Sequence, residues 1–193
     1  MKILDKKNKI YLLDEENFNF PTLDMMKDDL VAVGGDFHPQ RLLNAYENGI
    51  FPWYIDEYNY IHWFSPNKRM VLKPEEMKVS KSLKKSILNK GFVIKSNENF
   101  EAVMRNCSNI KRKHEDSTWI SEEFIQAYTN LHHLDIAFSI ECYLDEELVG
   151  GLYGLLIGDV FCGESMFAKV TDASKVAFYH LCQQAEKNGI KLI

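Results

Sequence analysis

With 193 residues, 46% hydrophobic and 26% charged, and only 10 Gly and 5 Pro, the chain can bury a core and is not collagenous, disordered or low-complexity. No apolar run reaches the roughly 20 residues of a membrane helix, and Met1-Lys2-Ile3-Leu4-Asp5-Lys6-Lys7 has no signal-peptide core, so a soluble, cytoplasmic protein is expected. The formal charge of −5 argues against a chain coated for nucleic acid, and Cys107, Cys142, Cys162 and Cys182, with no C-x-x-C pair, read as buried thiols in a reducing compartment.

In chain order, Ile10–Leu13 and Leu30–Val33 predict short strands, the second ending in Gly34-Gly35-Asp36. Pro39 suits the first turn of a helix whose Leu42, Leu43, Ala45 and Tyr46 share a face, and Gly49 suits its stop. Ile50-Phe51-Pro52-Trp53-Tyr54 reads as an aromatic loop. A helix is expected over about 80–89, a strand over 92–95, and a helix over 97–106. Ser121 is the N-cap candidate of a further helix, with Glu122 and Glu123 in its first turn and Phe124, Tyr128 and Leu131 at i, i+4 and i+7. A three-strand meander follows over 137–144, 148–157 and 160–167, turning at Asp145-Glu146 and Gly158-Asp159. The last helix runs from Asp172 or Ala173 to Asn188, stops at Gly189, and opens into a strand over 190–193. The pattern is α+β, helices interleaved around a largely antiparallel sheet.

Charge is uneven. Residues 66–95 hold nine basic side chains (Lys68, Arg69, Lys73, Lys78, Lys81, Lys84, Lys85, Lys90 and Lys95) against Glu75 and Glu76, a net of +7 that leaves −12 on the other 163 residues. Such a stretch fits a phosphate backbone, and it equally fits a solvated helix face. Glu164, between apolar and small neighbours in Val160–Phe167, is either a carboxylate with a chemical task or one that accepts backbone hydrogen bonds at a strand end. Cys162 and Ser165 have no nearby His to activate them, and His132-His133 read as surface residues. Trp53 and Trp119, each at a loop edge, can stack on a base or pack as core or rim. Gly150-Gly151-Leu152-Tyr153-Gly154 has neither phosphate-loop spacing, and it reads as close backbone packing within a sheet.

Taken together, Leu30–Asp36, Arg41–Tyr46, Gly49–Tyr54, Trp63-Phe64-Ser65-Pro66 with Arg69, Ser80–Lys84, Thr118-Trp119-Ile120, Ala127-Tyr128 with Leu131-His132, Leu148–Gly154, and Phe161–Phe167 with Ala173-Ser174-Lys175 form an ordered set of blocks over residues 30–193. That set resembles the leucyl/phenylalanyl-tRNA-protein transferase family. The resemblance implies a small N-terminal domain, drawn at 1–64, followed over 65–193 by an acetyltransferase-like (GNAT-like) aminoacyl-transfer domain. It implies transfer of Leu or Phe, and less of Met, from aminoacyl-tRNA to the N-terminal amine of proteins beginning with Arg or Lys, which makes an N-degron. The implied partners are those two substrates, with no cofactor, metal or membrane, and the chain is expected to be a monomer.

By the same resemblance, Trp53 and Trp119 bracket the terminal adenosine, and Tyr128, Leu152, Phe161 and Leu181 belong to the substrate site. Glu164 orients the acceptor amine, while Arg69, Lys81, Lys84 and Lys85 meet the tRNA backbone. The chain departs from the family pattern at Phe64 for Trp, Lys81 for Arg, Asn67-Lys68 for Asp-Pro, Phe138 for His, and Asp135 for a helix-stop Gly. The family continues past Lys191-Leu192-Ile193 with an Asp-x-Gln strand whose Gln accepts the proton. The expectation for a chain ending at Ile193 is that Glu164 still positions the amine without that relay, giving weak transfer. The alternative is a non-catalytic binder of aminoacyl-tRNA ends or of N-terminal Arg or Lys. A coenzyme-A acetyltransferase is disfavoured because no [RQ]-x-x-G-x-[GA] loop precedes a helix.

Overall fold

Alternation in Ile10-Tyr11-Leu12-Leu13 buries Tyr11 and Leu13 on one face of a strand, and the same logic builds the first of two units. A computed structural model describes residues 2–22, 25, 27–110 and 118–193, and the chain divides into compact units Met1–Met70 and Val71–Ile193.

The first unit holds β1 (Lys2–Asp5), β2 (Ile10–Leu13), β3 (Leu30–Gly34), α1 (Pro39–Glu47), β4 (Phe51–Ile55) and β5 (Ile61–Phe64) in a sheet ordered β1-β2-β3-β5-β4. β2 and β3 are parallel and the other pairs antiparallel. The segment expected as an aromatic loop is strand β4, and β5, unmarked in the sequence reading, is its hairpin partner. Facing residues Phe51 and Phe64, and Tyr54 and His62, supply the cross-strand ring pairs that favour the ladder. Trp63 is fully buried, and its indole N–H donates to Gly34 O at 2.8 Å. Arg41 is equally buried and satisfied, donating to Asp14 O, Asn17 O and the Asp36 carboxylate while its guanidinium lies over Phe18. α1 opens with Pro39 at its start and stops at Gly49, whose φ of 68° lets Ile50 N–H reach back to Ala45 O at 2.8 Å.

The second unit holds α2 (Lys81–Asn89), β6 (Val93–Ser96), α3 (Phe100–Asn109), α4 (Glu122–His133), β7 (Ala137–Leu144), β8 (Glu147–Ile157), β9 (Val160–Ala168) and α5 (Ala173–Lys187), after a short 3₁₀ turn at Pro74–Glu76. β6 to β9 form an antiparallel meander in chain order. The stretch expected as a final strand makes a single parallel bridge, Leu192 to Val160, and Leu72 and Ile193 exchange two backbone hydrogen bonds of 2.8 and 2.9 Å. Mixed helix and strand with two largely antiparallel sheets is the expected α+β class.

β7 and β8 are buried on both faces, with α5 packed on one and α3 and α4 on the other. Two glycines make this approach possible. A Cβ on Gly150 would sit 2.5 Å from Ala173 Cβ at the start of α5, and one on Gly154 would sit 2.6 Å from the Phe161 ring. Buried Glu141 on β7 accepts from Asn99 N–H at 3.0 Å, Glu98 N–H at 3.3 Å and Ser139 Oγ at 2.7 Å, which caps the start of α3 from a neighbouring strand. Cys107, Cys142 and Cys182 are buried as expected, burial pushing the thiols of Cys142 and Cys182 up to about 11, but Cys162 is only half-buried; none of the four forms a disulfide among the described residues. Among the described residues no helix is long and apolar enough to cross a membrane.

Candidate functional site

Trp53 and Glu164 are both the extra residue of a β-bulge. On β4 the register steps from Pro52 opposite Trp63 to Tyr54 opposite His62, leaving Trp53 without a partner across the ladder. On β9 it steps from Gly163 opposite Gly154 to Ser165 opposite Tyr153, which makes Glu164 the added residue. A bulge disrupts the ladder locally and re-aims a side chain, which is how strands present functional groups out of phase with their pleat. Trp53 is accordingly 45% exposed, and it meets Phe64 edge-on at 5.0 Å and Phe51 at 6.0 Å. Glu164 is half-buried beside exposed Gly163, so the apolar neighbours in its sequence do not enclose it.

In the second unit the two faces of the sheet separate the expected substrate residues. Leu152, Phe161 and Leu181 share the α5 face, in one apolar cluster with Ile140, Ala173 and Ala177. The sheet therefore gathers, from β8, β9 and α5, the three residues that the resemblance joins in a side-chain pocket. Phe161 stands three residues before Glu164 on the same strand. On the opposite face, Trp119 meets Phe124 edge-on at 5.5 Å, Phe124 neighbours Tyr128, and Tyr128 meets Tyr153 edge-on at 6.0 Å. Tyr128 is fully buried in that aromatic chain. Trp119 is half-buried at the chain's outer end. His132, expected at the surface, stacks on Phe100 at 4.5 Å and has Nδ1 2.9 Å from Ala137 O, and only His133 is exposed.

The basic stretch divides by engagement. Lys73 and Lys95 pair with Glu76 and Glu98, and Lys90 donates to Thr171 O at 2.8 Å. Arg69 donates to the carbonyls of Gly49 and Pro66 and lies over Phe51 at 5.0 Å. Lys81, Lys84 and Lys85 on α2 are exposed and have no ion-pair partner among the described residues. Their helix begins at Ser80, whose side chain accepts from Leu83 N–H at 3.1 Å, and is tied to the start of α5 by Ser86 Oγ donating to Asp172 at 2.8 Å. No group of three His, Cys, Asp or Glu among the described residues is placed to hold a metal.

The leucyl/phenylalanyl-tRNA protein transferase profile matches residues 71–193, and the profile of that family's N-terminal domain matches residues 35–67. The chain belongs to this family. A Sulfurimonas denitrificans protein named leucyl/phenylalanyl-tRNA–protein transferase is 52% identical over 167 residues, covering 86% of this chain and 72% of its own. Proteins of the same name from Hydrogenovibrio crunogenus and Flavobacterium johnsoniae are 48% and 46% identical, each covering 95% of this chain, and 72% and 86% of their own lengths. These family members are named as aminoacyltransferases. Among solved structures, that of L-PGS from Bacillus licheniformis aligns with a TM-score of 0.44 at 10% identity over 84% of this chain and 51% of that one, too loose a likeness to carry an argument.

The sequence reading missed the rings around Trp53. Tyr54 and His62 stack at 4.5 Å, and Tyr54 and Phe64 meet at 6.0 Å. The only signal in the sequence is the aromatic density of 51–64, which does not reveal the bulge that sets its faces.

Proposed function

We propose that this chain transfers Leu or Phe, and Met less readily, from aminoacyl-tRNA to the N-terminal amine of proteins beginning with Arg or Lys, in the cytoplasm and on an acetyltransferase-like fold in its second unit. The observation that carries this reading is the Leu152, Phe161 and Leu181 cluster with Glu164 bulged from the strand that holds Phe161. An apolar site of that composition selects a large apolar aminoacyl side chain, and each lost methylene costs about 0.8 kcal/mol of burial, which disfavours Ala and Val.

The chemistry asks little more. The ester of aminoacyl-tRNA is already activated: the acceptor nitrogen attacks its carbonyl carbon, the C–O bond to the ribose breaks, and the ribose oxygen leaves with a proton as the amide forms. Alignment and an uncharged amine are the main requirements. An α-amino group with a pKa of about 7.7–8.0 is partly neutral near pH 7. Glu164 orients that amine, Trp53 offers an exposed ring to the terminal adenosine, and Trp119 offers an indole for base stacking. Tyr128 joins the substrate site beside Phe124, on which Trp119 packs. Lys81, Lys84 and Lys85 give sequence-independent backbone contacts.

The test is transfer of labelled Phe or Leu from the matching aminoacyl-tRNA to peptides beginning with Arg, Lys or Ala. Transfer to the Arg and Lys peptides alone supports the reading, while binding of Phe-tRNA without transfer to any peptide replaces it with the binding-protein reading.

A further inference from the structure

A line of contacts runs along the outer face of the β4–β5 hairpin, within the first unit. The Arg69 guanidinium lies 5.0 Å over Phe51, Phe51 neighbours Trp53 at 6.0 Å, and Trp53 meets Phe64 at 5.0 Å. Phe64 meets Tyr54 at 6.0 Å, Tyr54 stacks on His62 at 4.5 Å and 18°, and His62 Nε2 is 2.9 Å from the Asp56 carboxylate. The bulge makes this line possible. In a regular strand Trp53 and Tyr54 would point to opposite faces, but here Pro52, Trp63 and Ile61 fill the inner face while Trp53 and Tyr54 are 45% and 37% exposed on the outer one. His62 supports one side of the Tyr54 ring and is itself held by Asp56, which also accepts from Tyr58 and Tyr60 N–H.

We propose that Tyr54 is a second base-stacking position, taking an unpaired nucleotide that precedes the terminal adenosine of the aminoacyl-tRNA, with Trp53 and Tyr54 acting as successive platforms on one strand. The inference rests on the tRNA reading above and goes beyond it, because that reading gives this hairpin only the terminal adenosine. One feature favours a single-stranded nucleic acid end as the occupant: the exposed surface is made of flat rings on successive residues of one strand, which stack on any base.

The experiment is equilibrium binding of two probes, AMP and the RNA trinucleotide CCA, to the full chain and to Tyr54→Leu, Tyr54→Phe and Trp53→Ala. Leu keeps apolar bulk on the hairpin without a π face, and Phe keeps the face without the hydroxyl. The proposal expects the wild-type chain to bind CCA more tightly than AMP. It expects Tyr54→Leu to weaken CCA about 5- to 30-fold while changing AMP by no more than about 2-fold, Tyr54→Phe to bind both probes as wild type does, and Trp53→Ala to weaken both. Equal affinity of the wild type for CCA and AMP, or a Tyr54→Leu effect that is absent or equal on both probes, overturns the second platform. A wild-type chain that binds neither probe overturns the tRNA reading itself and the platform with it.

Discussion

Phe161 and Phe167 lie on one strand, an even number of residues apart, yet pack on opposite faces of the sheet, Phe161 in the α5 cluster and Phe167 beside Gly151 and Val103 of α3. A regular strand would put both on one face. Glu164, the added residue between them, reverses the parity. The same irregularity that presents Glu164 thus lets one strand build both the α5-side cluster and the opposite core.

Gly154 is where that arrangement is tightest. A methyl group there would lie 2.3 Å from Cys162 O and 2.6 Å from the Phe161 ring, with backbone on one side and a packed ring on the other. Gly154→Ala is expected to cost about 1–3 kcal/mol by overpacking, read as a lowered denaturant midpoint. A cost below about 0.5 kcal/mol would mean that the ring moves freely.

Asp135 marks an opposite opportunity. It sits at φ 57° after α4, with its N–H bonded to His132 O at 3.0 Å and the next N–H, from Ile136, bonded to Leu131 O at 3.0 Å. Gly49 and Gly189 fill the same left-handed stop after α1 and α5. Asp135→Gly relieves the steric cost that an L side chain carries there, and a gain of about 0.5–1 kcal/mol in chemical denaturation is the expected outcome. A loss of stability would show that the Asp side chain makes up for its strained backbone.

The boundaries of α1, α2 and α5 were legible because their signals are local: Pro39 and Gly49 bound α1, Ser80 caps α2, and Gly189 stops α5, whereas the helix expected over 97–106 runs from Phe100 to Asn109. The meander was legible for the same reason, through alternation and the turns at Asp145-Glu146 and Gly158-Asp159. The hairpin of β4 and β5 was not, because its pairing rests on side chains that meet only across strands, such as Tyr54 with His62. Whether Glu164 is enclosed was not legible either. Its neighbours in sequence are apolar, but the bulge, which no periodicity reveals, decides where the carboxylate points. Tyr128 fits both a ligand and a core role by type, and its contact with Tyr153, which comes from a distant strand, was not legible in the sequence.

For the lysines, the expectation concerns salt. Replacing Lys81, Lys84 and Lys85 together by Gln should weaken tRNA binding and reduce the magnitude of the slope of log affinity against log salt by about 2–3, the counterions those contacts release. An unchanged slope would return all three to a solvated helix face.

Acid should loosen the tie between α2 and α5. Hydrogen bonds from Ser86 and then Lys175 hold the Asp172 carboxyl below its ordinary value. A carboxylate depressed in the folded state stabilises fully above its unfolded pKa of about 3.9 and loses that contribution as pH falls through the folded value. Stability measured from pH 6 down to pH 3 should therefore fall less steeply in Asp172→Asn than in the wild type. Parallel curves would mean that the tie is not a titrating one.

The most direct measurement is the rate of Phe transfer from Phe-tRNA to an Arg-initiated peptide by the wild-type chain, Glu164→Gln and Trp53→Ala, with Tyr58→Ala, an exposed side chain outside the site, as the control. The account predicts that both site variants lose at least about tenfold in rate, the worth of one aligned hydrogen bond or one stacked base, while the control transfers as the wild type does. Undiminished transfer by Glu164→Gln and Trp53→Ala would contradict it, because neither bulged residue would then be acting on the substrates.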